Sequence, residues 1–477
     1  MVRRVFIVVV MALVMGLMLA GCGESGNTYR FDGMGDWGYP TPFAAVPRGP
    51  SYIRASLIFD TLLWKDDRGL IPWLASSYER VGDAYRFHLR RAVKWSDGVP
   101  FTADDVVFTY RYLKEHPPRG FVWGAMYMVK DVKKVDDYTV DIVPAGDSPE
   151  FLELTAATVL ILPRHIWQNV SDPYTYTATP AFVGTGPFTL KLYDRAGRYV
   201  FAPKKDWWGG RVIDRDVEFI KSPSPTDDIL AGRLDAIYLW GPKAAVAKDV
   251  LGGELGVVRS DTYFLYYVVF NTRRLSLAQR RAISALIDRD RLVDSLLRGT
   301  ATVSRLVKVD MGRDEALRVL RDVGTLVAVS STKFEDTALA VVDMLKGAGL
   351  DVKLKVLPMD RADDEIKKGN FDIAITAHGG MSYGTAWVKI TWPYDGWHSE
   401  AWQRVAKRLM WNYPEELMDE ISGVLSAEVP IYDLYRPYGY MFVRKGFALH
   451  VVQTVRGVGA GIHIPINKLM FVEGGGS

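Results

Sequence analysis

The sequence predicts an α/β fold, and three observations carry the prediction. Residues 325–377 alternate between strand and helix patterns in the order βαβαβ. Phe264 to Phe270 (FLYYVVF) is a continuous apolar, β-branched and aromatic run, which marks a strand buried on both faces. The 477 residues are 48% hydrophobic, 24% charged and 12% aromatic, an ordinary globular composition. It excludes disorder, collagen-like repeats and a pure coiled coil. The length supplies core for roughly two to four domains, or two large lobes.

The elements follow in chain order. Residues 56–64 (SLIFDTLLW) open the apolar part of the chain. Residues 85–89 and 93–95 are expected as short strands around a turn at Asp97-Gly98. Thr102 then caps a helix, because Asp104 and Asp105 put acid in its first turn and Val106, Val107, Phe108 and Tyr110 follow. Residues 132–135 and 139–143 read as a hairpin turning at Asp136-Asp137, and residues 188–192 and 199–202 as another. A helix over 227–232 precedes a strand over 236–239, and helices over 277–286 and 289–297 follow the buried strand. In the βαβαβ unit, strands 325–329, 352–357 and 371–377 alternate with helices 334–346 and 361–368. Such a unit makes a parallel sheet with right-handed crossovers, and ligands sit at the carboxyl ends of its strands. The last strand leads directly into His378-Gly379-Gly380. No repeat of 20–50 residues is visible.

The N-terminus carries an address. Arg3 and Arg4 precede an apolar run over 5–20, then Gly21-Cys22-Gly23. At about 1.5 Å per residue the run falls short of a ~30 Å bilayer core, so a cleaved signal is expected over a signal-anchor helix. Leu19-Ala20-Gly21-Cys22 resembles a lipobox. The resemblance implies cleavage after residue 21 and a lipid on Cys22, with 22–27 as a short tether. Cys22 is the single cysteine, so a disulfide framework and a multi-cysteine metal site are excluded. Loss of Arg3 and Arg4 with the leader takes the formal charge from +3 to +1. That near-neutral body is no strong nucleic-acid binder. Seven scattered His with no H-E-x-x-H oppose a protein-only zinc site, and no cofactor or metal is expected.

Several stretches resemble a family. They are Phe59-Asp60-Thr61-Leu62-Leu63, Pro72-Trp73-Leu74-Ala75, residues 87–110 (FHLRRAVKWSDGVPFTADDVVFTY), Gly184-Thr185-Gly186-Pro187-Phe188, Asp206-Trp207-Trp208, Phe270-Asn271-Thr272, Arg280 to Arg289 (RRAISALIDR) and Val429-Pro430-Ile431. In this order they resemble the extracellular solute-binding proteins, family 5, of oligopeptide, dipeptide and nickel importers. The resemblance implies a two-lobed periplasmic-binding-protein-like fold (type II, cluster C) with an extra subdomain on lobe I. Lobe I would comprise 28–51, 168–265 and 440–477, the subdomain 52–167, and lobe II 266–439. Two crossings between the lobes would form a hinge.

The sequence also departs from that pattern. Peptide-binding members carry an acidic stretch after the strand ending here at Ala377, which holds the peptide ammonium. This chain has His378-Gly379-Gly380-Met381-Ser382-Tyr383-Gly384, and the nearest downstream acid is Asp395. The segment before the βαβαβ unit, over 299–312, is also short.

Candidate ligand contacts follow from residue type and position. His378 ends a strand at the expected cleft and can donate to a carboxylate or hold a metal chelate, or simply be satisfied by backbone. Gly379 and Gly380 suit a turn or close backbone approach to an anionic group. Trp37, Tyr39, Trp123, Tyr127, Tyr383, Trp387, Trp392, Tyr394 and Trp397 lie in loop-like stretches, where they form either aromatic walls or packing between lobes. Arg48 could pair with a carboxylate or stay solvated. Gly380-x-Ser382-x-Gly384 matches a nucleophile elbow, but no convincing helix follows it, and a serine hydrolase is the lesser alternative.

The function expected is a binding protein with no enzymatic activity, tethered outside the membrane through Cys22. It would be a monomer that passes a peptide or peptide-like solute to an ABC permease. A nickel or other metal chelate is the alternative ligand, and a sensory receptor the alternative role.

Overall fold

The structure, a computed structural model, describes residues 28–46, 49–66, 68–119, 126–262, 264–379, 394, 396–409, 411, 414–445 and 466–473. The leader 1–21, Cys22 and the tether lie outside these residues, as do Arg48, Trp123, Gly380, Ser382, Tyr383, Trp387 and Trp392.

The chain opens with β1 (Thr28–Asp32). Phe31 anchors it, fully buried between Phe219 at 5.5 Å and the edge of Phe471 at 5.7 Å. The helix Gly49–Ile58 follows, with every residue from Ser51 onward buried. A hairpin of β2 (Leu63–Asp66) and β3 (Gly69–Pro72) leads into a four-stranded sheet. That sheet holds β4 (Ala75–Val81), β5 (Ala84–Leu89), β6 (Val129–Asp136) and β7 (Thr139–Pro144), in the order β4-β5-β7-β6. The helix Ala103–Glu115 packs on it. As expected, Thr102 caps that helix. The Asp105 carboxylate receives the backbone N–H groups of Thr102 and Arg164, each at 2.9 Å, and so ties the cap to a distant loop.

The chain then completes the first sheet with β8 (Phe188–Asp194), β9 (Arg198–Pro203), β10 (Asp216–Ile220), β11 (Ala236–Trp240) and β12 (Leu255–Ser260). A second sheet follows: β13 (Phe264–Phe270), β14 (Ala301–Val303), β15 (Leu326–Ser331), β16 (Val352–Leu357), β17 (Ile373–Gly379) and β18 (Ile431–Pro437). The last strand, β19 (Gly439–Arg444), returns to the first sheet. The orders are β12-β19-β11-β1-β10-β9-β8 and β14-β18-β13-β17-β15-β16. In the second sheet β15 runs parallel to both β16 and β17, the arrangement the βαβαβ pattern predicts. β13 lies between β17 and β18, antiparallel to both, and six of its seven residues are buried.

Each sheet has its own core. One cluster joins the first sheet, the four-stranded sheet and the segment around Phe471. Another fills the second sheet and its helices. A small third cluster lies under the helix Pro242–Leu251. The chain crosses between the large cores after β12, which ends at Ser260, and again at Tyr438. The Thr262 hydroxyl donates to the Pro437 carbonyl at 2.6 Å and holds the two crossings together.

Two local expectations change. Residues 93–95 form no strand; Lys94 makes a single bridge to Pro100, because Trp95 is buried against the edge of Phe101 instead of extending a ladder. The first hairpin turns one residue later than expected, since Asp136 pairs with Thr139.

Candidate ligand-binding site

β1 runs parallel to β10 and β11, so Asp32, Ile220 and Trp240 end on one edge of the first sheet. Ser331, Leu357 and Gly379 likewise end the parallel strands of the second. Register brings the two edges together. Phe264 is the partner of Gly379 across the second sheet, and its ring stacks on Trp240 of the first at 5.6 Å and 22°. Trp240 packs against both large cores. Its indole N–H donates to the Tyr266 hydroxyl, and the Lys333 ammonium stands 5.1 Å over its ring. Tyr266 stacks on Tyr435 at 4.5 Å and meets Phe334 edge-on at 5.5 Å. Facing carboxyl edges with an aromatic base are where ligands of open α/β sheets bind.

The first wall is the loop after β1. Arg54 is buried with its guanidinium between Tyr199 at 4.7 Å and Phe219 at 4.5 Å. Its Nη2 donates to the Gly33 carbonyl at 2.7 Å. Burial draws its pKa down to about 10, the nearby Asp32 and Asp36 opposing that fall. Burial also raises the pKa of Asp32. The Trp37 indole donates to the same Gly33 carbonyl at 2.8 Å, and its backbone N–H donates to the Tyr199 hydroxyl at 2.8 Å. Tyr193 donates to Asp36 at 2.8 Å. Tyr39 packs edge-on against Tyr193 at 4.6 Å. Trp37 and Tyr39 thus stand, half-buried, on a loop pinned from below by Arg54 and from the side by two tyrosines.

The second wall is the end of β17. That strand runs to Gly379, two residues beyond the expected end, so His378 belongs to the sheet and pairs with Leu265. His378 is half-buried. Gly379 forms no turn and has no left-handed φ. Its missing side chain makes room for Phe264, since a β-carbon there would lie 3.2 Å from that ring. Gly380, Tyr383 and Trp387 continue from here outside the described residues.

Other candidates separate from this group. Trp397 donates its indole N–H to Glu428 at 2.7 Å and packs on Trp402. Its loop joins Thr272, whose hydroxyl donates to Gly396, and Thr272 follows the end of β13 opposite to Phe264. The seven residues of β13, six steps or about 20 Å, separate the two ends. Trp397 is therefore a packing residue remote from His378. Tyr394 is also core: it is 2% exposed, and its hydroxyl donates to Asn271 at 2.8 Å. Tyr127 is exposed on the turn Met126–Met128 that enters β6. Among the described residues no group of three or more His, Cys, Asp and Glu could hold a metal ion, and no helix is long and apolar enough to cross a membrane.

Sequence reasoning missed Trp240, Tyr266, Lys333 and Arg54. Trp240-Gly241-Pro242 carried a usable signal. A strand ending in Trp meets a Gly with φ of +65° and a Pro that starts a helix, which places the indole at a sheet's carboxyl edge.

Comparison with known proteins places this geometry in a family. Residues 69–307 match the model of the bacterial extracellular solute-binding proteins, family 5, middle region. The chain belongs to that family. A Brucella ovis protein named as an ABC transporter peptide-binding protein is 29% identical over 268 residues, covering 53% of this chain and 49% of the relative. The chain thus spans about half the length of such curated relatives in the matched region. The oligopeptide-binding protein AppA of Bacillus subtilis is 24% identical over 375 residues, 68% of this chain and 67% of that one. Among solved structures, NikZ from Campylobacter jejuni in complex with Ni(L-His) superposes with a TM-score of 0.75 at 17% identity, covering 91% of this chain and 97% of NikZ. OppA of Haemophilus influenzae in complex with a peptide gives 0.72 at 20% identity, covering 94% and 99%. These likenesses establish the two-lobed fold of the family's periplasmic binding proteins.

Proposed function

We propose that this protein is the membrane-anchored substrate-binding component of an ABC importer, closing on a peptide or peptide-like solute and delivering it to the permease. Family membership supports the class of function. The observation that carries the mechanism is the pair of facing carboxyl edges, with Trp37 and Tyr39 on one and His378 on the other, joined by two crossings tied at Thr262 and Pro437. A ligand touching both edges favours the closed state by its differential affinity for it.

In this reading residues 1–21 are removed, Cys22 carries the lipid and 22–27 form the tether. Lobe I comprises 28–51, 168–265 and 440–477, the subdomain 52–167 and lobe II 266–439. The Trp37–Tyr39 loop and the His378 edge contact the solute, with Arg48, Trp123, Gly380, Tyr383 and Trp387 as further candidates. The protein acts as a monomer and performs no covalent chemistry.

A metal chelate is the second reading. It is favoured by His378 on the strand edge, because an imidazole there could complete the coordination of a chelated ion.

Native mass spectrometry of residues 23–477, purified gently from the host, tests both. A ladder of peptide masses supports the first reading. One non-peptide mass with stoichiometric nickel supports the second. The absence of both a co-purified solute and compaction with any added one would defeat the binding-protein reading.

A further inference from the structure

The two large cores also meet away from the crossings. Gly146 follows β7 in the four-stranded sheet, and Trp411 follows the helix Glu400–Leu409 of the second core. The Trp411 indole lies directly on Gly146: a β-carbon at 146 would be 2.9 Å from Cζ3 and 3.2 Å from Cε3. Both partners are held in place. The N–H of Ala145 donates to the Met128 carbonyl at 2.7 Å, fixing the approach to Gly146. The Trp411 N–H donates to the Arg408 carbonyl at 2.9 Å. Arg408 in turn grips both carboxylate oxygens of Glu420 at 2.7 Å, which locks its helix to the next.

We infer that Trp411 on Gly146 is a contact of the closed state, so that the four-stranded sheet takes part in trapping the solute. The inference rests on the two-lobed trap proposed above. Its geometry is simple. Among the described residues the chain passes between the cores only between Ser260 and Phe264 and at Tyr438, and neither Gly146 nor Trp411 belongs to a crossing. Two bodies jointed at one place keep a second contact at one relative orientation. Rotation about the joint must lift the indole off the glycine.

Gly146 lacks a left-handed φ, so a side chain there strains no backbone, and the three atoms nearest its β-carbon all belong to Trp411. A valine at this position is therefore a wedge that acts on closure and not on either core. Trp411→Ala removes the same contact from the other side, leaving the Gly146 turn as it is.

The test is small-angle scattering of the chain from residue 22 onward as wild type, Gly146→Val and Trp411→Ala. Each is measured alone and with a tryptic digest of casein as the probe. The expected result is a larger radius of gyration for both variants than for wild type, with at least tenfold more digest needed for half-maximal compaction. Melting curves should be unchanged. Variants that scatter as wild type, alone and with digest, overturn the inference even where wild type compacts normally. Failure of wild type to respond to the digest counts against the peptide reading alone. The comparison without digest still decides the contact: larger variants support it and equal ones overturn it.

Discussion

Lys468 and Asp60, 408 residues apart, form an ion pair with both side chains fully buried. The ammonium lies 4.1 Å from the centroid of Trp64 and 5.3 Å from that of Trp73. Asp60 also receives the indole N–H groups of Trp73 at 2.7 Å and Trp208 at 3.2 Å. One carboxylate thus joins the first helix, the hairpin, the segment after β9 and the C-terminal turn. Removing the cation leaves a buried carboxylate without its countercharge. Lys468→Met should destabilise the protein by about 3–5 kcal/mol, read from the urea midpoint. A loss below about 1 kcal/mol would show that the indoles alone satisfy Asp60.

Lys204 gives a pH signature. It is half-buried with its ammonium on the Gly184 carbonyl at 2.8 Å, and burial lowers its pKa to about 8. From there to the ordinary value of 10.5 the unfolded chain binds a proton that the folded chain has shed. Stability should therefore rise with pH across this window, and the deficit is fully present below pH 8. Lys204→Met should abolish that rise, which is on the order of 2–3 kcal/mol. Parallel denaturation curves from pH 7.5 to 10.5 check it; equal slopes for the two proteins would refute it.

Gly241 sits at φ +65°, and a β-carbon there would lie 2.9 Å from the Tyr266 hydroxyl. Gly241→Ala combines left-handed strain with displacement of the tyrosine that accepts the Trp240 indole. The expected destabilisation is about 1–3 kcal/mol. Near-ultraviolet circular dichroism should change with it, because the Trp240–Tyr266–Tyr435 stack is disturbed. A wild-type melting curve would mean the segment relaxes freely.

His378→Ala should weaken binding of the co-purified solute by at least about 1 kcal/mol if the imidazole donates a hydrogen bond inside the closed cleft. Isothermal titration with that solute measures it. Unchanged affinity would return His378 to a strand residue satisfied within the sheet.

The stretches that carry the family resemblance prove to be anchors. Asp60 pairs with Lys468 and receives the indole N–H groups of Trp73 and Trp208. Asn271 donates to the carbonyls of Gly369 and Phe371 at 3.0 and 2.8 Å, and Arg280 donates to those of Leu275, Glu428 and Val429. Gly184 and Gly186 lie against the Ile58 and Leu57 carbonyls, where a β-carbon would come within 2.0 and 2.5 Å. Fold and family were legible because such anchors are built from fixed residue types at fixed places. The candidate site was less so, because its walls are loops held by remote partners. The Tyr199 that pins Trp37 is 162 residues away, and nothing local announces it. His378 was legible as a strand end. Trp397 was misplaced because local pattern does not reveal that β13 is antiparallel to β17, which sends the Thr272 loop to the far end of the sheet.

The crossings have a mechanical consequence. β12 runs into β13 and β18 into β19 with three residues and one residue between them, and the Thr262 hydroxyl stitches the two strands side by side. Such a two-ply ribbon resists stretching and in-plane shear but yields to bending across its width. The lobes then have little freedom to part by sliding, and their separation reduces to a single angle. In the importer reading proposed above, a bulkier solute sets a wider angle at which the jaws come to rest, and cargo size is expressed in the posture of the carrier.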